Sequence, residues 1–385
     1  MTQYSANWAR VSPEESGPPE DIAAGGPGAP ARRVALVAFF QERHRRQVYQ
    51  LYQEVFGRDA ANSFQERWRW AQEACLYPQD SPKWVLVDRE RVVGFLGTIA
   101  LPYVLQGSTI LAHTPCDYMV HPQYRFHGVK LMGEFFRTCD NCVTCEDMPA
   151  SIKVTRWLGA EPVGSLVRHV RVLDARALTT RWRWAGAAPA RWPLNLLLRR
   201  PDKARFHLGG TPFKVAAARQ FDLRFQAFFD RLAATVAVLP ARDLRFLEWR
   251  YGNGSPHAGR EIGVVAGPGD RLLGYVVFCL SSRPQRYGYI LDLQALPPQA
   301  EEIGSSLLGY AVERLRAGGA WSVRYHHLAS PGNLPDRVLK QHGFIPRGRH
   351  QFLVRFRDPG IASAARCAGN WNYSYGDSEA SHAFI

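Results

Sequence analysis

No apolar run in this chain approaches the roughly 18 residues that a membrane-crossing helix needs. The start of the chain (Met1-Thr2-Gln3-Tyr4, then Pro13-Glu14-Glu15) also lacks a basic segment followed by an apolar one. Neither a spanning helix nor a secretory leader is therefore expected, and the expected compartment is the cytoplasm. The seven cysteines among 385 residues fall at irregular spacing, which excludes a disulfide framework of the secreted kind and leaves them as thiols. Cys139, Cys142 and Cys145 recur at intervals of three. No fourth ligand follows at zinc-finger spacing, and a three-residue step along a strand sends side chains to opposite faces, so no metal is expected there. Acidic residues are also scarce, 34 Asp and Glu against 48 Lys and Arg, a net charge of +14. An anionic partner follows, but CoA, acidic carrier protein, lipid headgroups and nucleic acid are all anionic, and charge does not choose among them.

Hydrophobic residues make up 46% of the chain and aromatics 12%, enough for two cores of ordinary domain size. Much of the positive charge is local. Ten Arg and two Lys stand between Arg168 and Arg219 against Asp174 and Asp202 alone, a net of +10. Within that stretch, residues 181–200 interleave Trp, Leu and Arg. Such a composition suits either a packed interdomain linker or a peripheral contact with an anionic membrane, and the linker is favoured because Trp is commonly buried between domains.

Residues 1–31 are rich in Pro, Gly and Ala without apolar periodicity and read as a disordered arm. A strand (34–40) and a helix (42–56, with Val48, Leu51, Tyr52 and Val55 on one face) open the first domain, 32–175. A hairpin over 84–99, a strand ending at Val120, a helix over 128–137, a strand over 138–145 and a helix over 150–158 complete it. The cycle restarts after a linker over 176–219. Helices (221–238, 242–251), three strands (261–266, 272–280, 288–295), a helix (303–317), a strand (321–328) and a helix (334–341) fill a second domain, 220–358. An aromatic, polar tail, 359–385, follows as either a lid or a frayed end. The fold class is α/β with a mixed sheet, present twice.

Between the strand ending at Val120 and the helix lies Gln123-Tyr124-Arg125-Phe126-His127-Gly128-Val129-Lys130, a basic turn with one glycine. A strand, a tight turn and a helix start in succession aim backbone N–H groups and the positive helix end at one point, where a pyrophosphate can sit. This segment resembles the acyl-CoA loop of the GNAT superfamily of N-acyltransferases, Arg/Gln-x-x-Gly-x-Gly/Ala. Arg125 and Gly128 match the pattern, and Lys130 stands where the family has Gly or Ala. The second half resembles the same fold through Leu339-Lys340-Gln341-His342-Gly343-Phe344, but its loop reads Gln299-Ala300-Glu301-Glu302-Ile303-Gly304. Two carboxylates there would repel phosphate, so the second copy is expected not to hold CoA.

The resemblance implies acyl transfer from acetyl-CoA or another acyl-CoA, without metal, to an amine held in a cleft between two tandem GNAT-like domains, the second degenerate. Val120, Arg125, Phe126, His127, Gly128, Val129 and Lys130 would bind the acyl-CoA. Asp117 and His113, on or before the strand leading to the loop, and Glu146, at the end of the next strand, are the candidate bases. The family often places a Tyr acid where Thr155 aligns, so the usual proton donor is missing. Phe246-Leu247-Glu248-Trp249-Arg250-Tyr251 is similar to tandem GNAT proteins of bacterial surface-polysaccharide loci, which implies a small-molecule or sugar amine acceptor. Nucleic acid is not expected as a partner. A Fem-like transferase using aminoacyl-tRNA and a non-catalytic binding module are the two rival readings.

Overall fold

The computed structural model describes residues 35–57, 64–179, 194–196, 198, 213–257, 259–281, 286–330 and 332–378. The arm expected over 1–31 and most of the Arg- and Trp-rich stretch, with Trp182, Trp184 and Trp192, lie outside them.

The first half runs β1 (Leu36–Phe39), α1 (Arg45–Phe56), β2 (Trp84–Asp88), β3 (Arg91–Leu105), β4 (Ser108–Val120), a 3-10 turn (Pro122–His127), α2 (Gly128–Thr138), β5 (Asn141–Glu146), α3 (Pro149–Trp157) and β6 (Glu161–Val172). The second runs β7 (Ala216–Ala218), α4 (Leu223–Ala233), β8 (Val238–Pro240), α5 (Leu244–Tyr251), β9 (Arg260–Ala266), β10 (Leu272–Leu280), β11 (Tyr287–Ala295), α6 (Ala300–Ala317), β12 (Ser322–Leu328), α7 (Asp336–Gln341), β13 (Ile345–Phe356) and α8 (Pro359–Ala365). The helices sit where apolar residues recur at helical spacing. Leu131, Met132, Phe135 and Phe136 form the buried face of α2, and Val48, Leu51 and Tyr52 that of α1. Asp222, Asp243 and Asp358 cap α4, α5 and α8 by accepting backbone N–H bonds at their first turns.

Among the described residues the strands form one sheet in the order β1-β2-β3-β4-β5-β13-β6-β12-β11-β10-β9-β7, with β8 on β3. The halves are laced together. The last strand of the first half, β6, pairs with β12 of the second, while β13 of the second inserts between β5 and β6. Division of the chain near 176–219 is thus not a division of the sheet. One large core cluster joins residues of both halves, from Trp70 and Tyr103 to Phe352 and Trp371.

The sequence reading assigns no element where β6, β7, β13 and α8 stand, and it differs from the structure in other segments too. β3 and β4 are far longer than the apolar run suggests and meet in a tight hairpin at Gln106 (φ 50°) and Gly107 (φ 83°), successive left-handed positions that suit a two-residue turn. Residues 221–238 are not one helix. α4 stops at Ala233, and Val238–Pro240 forms a strand because β3 offers an edge to it, with Leu105 opposite Val238. Phe64 to Glu73 is helical and ends in a π-helical turn over Arg69–Glu73, a segment the sequence reading leaves unassigned.

Candidate functional site

Parallel strands that part company expose unpaired backbone edges, and the sheet contains two such openings. β4 and β5 share one paired position, His113 opposite Cys142. Their outer edges are engaged by β3 and β13, so beyond that position the edges facing each other have no partner strand. The corresponding strands of the second half, β11 and β12, pair from Tyr287–Ser322 to Ile290–Tyr325 and then separate.

The second opening is filled by the chain's own C-terminal segment. The Leu328 N–H donates to the Tyr373 carbonyl at 3.0 Å, and His327 bridges to Ser374. On the other side the Asn372 amide donates to Gln294 Oε1 at 2.9 Å, and the Ser374 hydroxyl lies 3.4 Å from the Leu291 carbonyl oxygen. A buried ion pair anchors the segment. Arg242 Nε donates to Asp377 Oδ1 at 2.9 Å and Nη1 to Asn372 Oδ1 at 2.8 Å. Within the tail, Trp371 to Ser378 are all buried and form an inserted plug, and residues 379–385 lie outside the described residues. The loop of this half is also closed to anions. Glu301 and Glu302 occupy the first turn of α6, at its positive end, and Glu301 pairs with Arg337.

At the first opening β4 leads through the 3-10 turn directly into α2. At Gly128, the first residue of α2, a Cβ would stand 2.2 Å from the Tyr118 hydroxyl, so a larger residue there would push that side chain aside. The turn is pinned underneath by buried Tyr124, whose hydroxyl donates to Asp88. Above it Arg125 and Phe126 are exposed, with the guanidinium 4.8 Å from the centre of the Phe126 ring, which is 80% exposed. Val120 is buried in the core under α2, Val129 and His127 are half-buried, and the His127 ring lies 6.2 Å from that of Tyr124. The amide row expected to face a phosphate is partly used inside the turn: the Tyr124 N–H goes to His121 and the Gly128 N–H to Arg125. The Lys130 ammonium donates to the Ala35 carbonyl at 3.0 Å and so ties α2 to the start of β1.

The three candidate bases are placed apart, each with its own partners. Asp117 sits at a bulge in β4, where the register against β3 shifts between Phe95 and Gly97. Its φ of 52° is unusual for Asp in a strand, and such strain persists only where the surroundings impose it. They do so through Arg67, 2.8 Å from Oδ1, and Gln72, whose Nε2 is 3.2 Å from Oδ2. Gln72 in turn fits over Gly97, where a Cβ would meet it at 2.5 Å. His113 spans two carbonyl oxygens, Asp80 at 2.8 Å and Asn141 at 3.4 Å. Glu146 ends β5 at the first opening and accepts from Ser151 Oγ at 2.7 Å and Thr144 Oγ1 at 2.9 Å. Burial raises its carboxyl above the usual range against the opposing pull of those two hydroxyls. Burial also raises the Tyr118 phenol, and the Glu146 charge adds to the effect, which places the two side chains in one electrostatic environment. Thr155 is fully buried and its hydroxyl has no hydrogen-bond partner.

Residues 37–163 match the family described as Acetyltransferase (GNAT) domain, a range that contains the whole first opening. The match lies wholly within the first half of the chain. Solved structures extend the likeness to both halves. A GCN5-related N-acetyltransferase from Kribbella flavida superposes with a TM-score of 0.54 at 18% identity, over 86% of this chain and 74% of that one. N-myristoyltransferase of Saccharomyces cerevisiae with bound myristoyl-CoA gives 0.56 at 15% identity over 92% and 88%. A tandem GNAT protein from the clavulanic acid biosynthesis pathway gives 0.52 at 14% identity over 85% and 99%. No curated protein sequence matches the chain. The fold is α/β with two GNAT-like units in tandem, as the recurrence of elements implies.

Several residues that shape this GNAT site have no motif to announce them. Tyr118 is visible in the sequence only as one more residue of an apolar strand. Arg67 and Gln72 lie in the unassigned helix. Trp70 stacks on Trp249 with centroids 4.8 Å apart and joins that helix to α5 of the second half. Abundant Trp hinted at an interface, but not at these two.

Proposed function

We propose that this protein is an acyl-CoA-dependent N-acyltransferase whose acyl-CoA lies in the first GNAT unit, with its arm between β4 and β5 and its pyrophosphate at Arg125 to Lys130. The observation that carries this reading is the contrast between the two openings. The second is crossed by residues 372–374 hydrogen-bonded to both strands, while the first joins its strands at a single pair and ends at the glycine turn. The arm of CoA contains two amides, so it can pair with separated strand edges much as an added strand does. A GNAT-type fold with bound myristoyl-CoA supports the choice of co-substrate.

Glu146 is the proton acceptor in this proposal. Its raised carboxylate takes one proton from the acceptor ammonium, the amine attacks the thioester carbonyl, the C–S bond breaks, and the CoA thiolate leaves with the second proton, which the new amide nitrogen gives up and water relays. Asp117 is a positioning residue that holds the β4 bulge. The acceptor is an amine of the amino-sugar class, as the resemblance of Phe246 to Tyr251 implies, and the setting is surface-polysaccharide synthesis. Release of CoA thiol from acetyl-CoA over a panel of amino sugars and other amines tests the reading. Turnover that is lost in Glu146→Gln while acetyl-CoA still binds supports it. Turnover that requires tRNA would favour a Fem-like transferase, and binding without turnover on any amine a non-catalytic module.

A further inference from the structure

A second group of polar side chains lies away from the first opening, on the seam where the halves exchange strands. His169 on β6 and His327 on β12 are diagonal neighbours, since Tyr325 stands opposite His169 and His327 is two residues further on. Their rings are 5.3 Å apart, and both side chains are about 1% exposed or less. None of their four ring nitrogens makes a hydrogen bond of ordinary length and angle, the polar groups near them being Asp336 and the backbone at Val167. A buried imidazole left so is expensive and calls for a physical explanation. Asp336, the first residue of α7, points one oxygen at both, with Oδ1 3.5 Å from His169 Nε2 and 3.7 Å from His327 Nε2. These separations are long for hydrogen bonds. They are close to the edge of about 3.4 Å that a tetrahedron of zinc ligands at about 2.1 Å would have.

We propose that His169, His327 and Asp336 bind one Zn2+ ion, with water as the fourth ligand. One ligand atom from each of the three lies within 4.8 Å of the others, and an ion between them would draw the two imidazoles and the partly exposed Asp336 together. The half-exposed carboxylate gives the ion a path from solvent and room for the water. Lys340, one turn along α7, opposes the cation but is not a ligand. The ion's role is to clamp. β6 belongs to the first half of the chain and β12 and α7 to the second, and the backbone of His327 also bridges to Ser374 of the C-terminal plug. The inference is independent of the acyl-CoA reading, because it concerns none of that site's residues.

Full-length protein stripped with chelator and dialysed is titrated with Zn2+ alone by calorimetry, and with Co2+ by visible absorption. The expected result is one equivalent of Zn2+ bound, a tetrahedral Co2+ spectrum, and a melting temperature that rises with Zn2+. Asp336→Asn keeps the size of a half-exposed side chain and should fold normally. It is expected to lose at least about tenfold in Zn2+ affinity, since even residues behind a ligand affect affinity that much. It should also lose the Co2+ spectrum and the thermal shift, and His327→Asn should do the same. No stoichiometric binding by the wild type, or undiminished binding by the folded Asp336→Asn variant, overturns the assignment.

Discussion

Replacing Asp377 by Ala is predicted to release the C-terminal plug. The Asp377 and Arg242 side chains are each about 1% exposed. The carboxylate accepts two guanidinium bonds and also the Ser374 N–H at 2.7 Å and its hydroxyl at 3.2 Å. Without it, Arg242 keeps Asn372 and the more distant Asp292, 3.8 Å from Nε, but loses its close counter-ion in a site without solvent. Leaving one member of such a pair buried costs about 3–5 kcal/mol. The cost should fall on the segment the pair anchors. Amide hydrogen exchange is the suitable assay, because it reads local opening without assuming that a large chain unfolds in one step. The Asn372 N–H, bonded to the Val238 carbonyl at 2.9 Å, and the Leu328 N–H, bonded to Tyr373, should exchange roughly a hundredfold or more faster, since each 1.4 kcal/mol is about tenfold. Apolar replacement of both partners, Arg242→Met with Asp377→Leu, should restore much of the protection, because neither charge is then left alone. Exchange at residues 371–378 within about threefold of wild type in Asp377→Ala would refute the reasoning.

Glu146→Gln should lower turnover by about a hundredfold or more, with little change in acyl-CoA affinity, as expected of a general base. Because the folded-state carboxyl is raised, its favourable contribution is complete below the unfolded value of roughly 4.3 and is lost as pH rises through the folded value. Glu146→Gln should therefore melt at or above the wild type at pH 7, and any gain should vanish below about pH 4. A melting temperature lower at pH 7 than at pH 4, relative to wild type, would show that the charged form is stabilising. Asp117→Ala leaves Arg67 nearly buried without its carboxylate and is expected to cost about 2–3 kcal/mol, measured by thermal or denaturant unfolding, with Asp117→Asn less affected. An unchanged unfolding curve would mean that the bulge does not need the ion pair.

The helices of both halves were legible because their buried faces follow helical spacing, as in Leu131, Phe135 and Phe136 of α2. The turn at Gly128 was legible because chain order alone puts strand, glycine and helix side by side. What brings distant parts together was not. The exchange of β6 and β13 depends on which edge each strand finds, and an alternating pattern does not name its neighbour. The plug was illegible for a related reason. Trp371-Asn372-Tyr373-Ser374 has the polarity of an exposed tail, and its amide and hydroxyl groups become suited to the interior only because Gln294, Leu291 and Arg242 are waiting there. From the sequence Lys130 reads as a ligand of acyl-CoA at a position where the family has Gly or Ala. The structure gives its ammonium another partner, a carbonyl 95 positions away in sequence. His169 and His327 are separated by most of the second half, and the histidine next to His327 in sequence, His326, alternates to the opposite face of β12.

A crystal structure of the full chain with acetyl-CoA decides whether acyl-CoA enters the first GNAT-like unit and not the second, as proposed. The predicted result is one molecule per chain, its arm between β4 and β5 beyond His113 and Cys142, its pyrophosphate at the turn before and into α2, and residues 371–378 still in place. Acetyl-CoA between β11 and β12 with that segment displaced would contradict the claim.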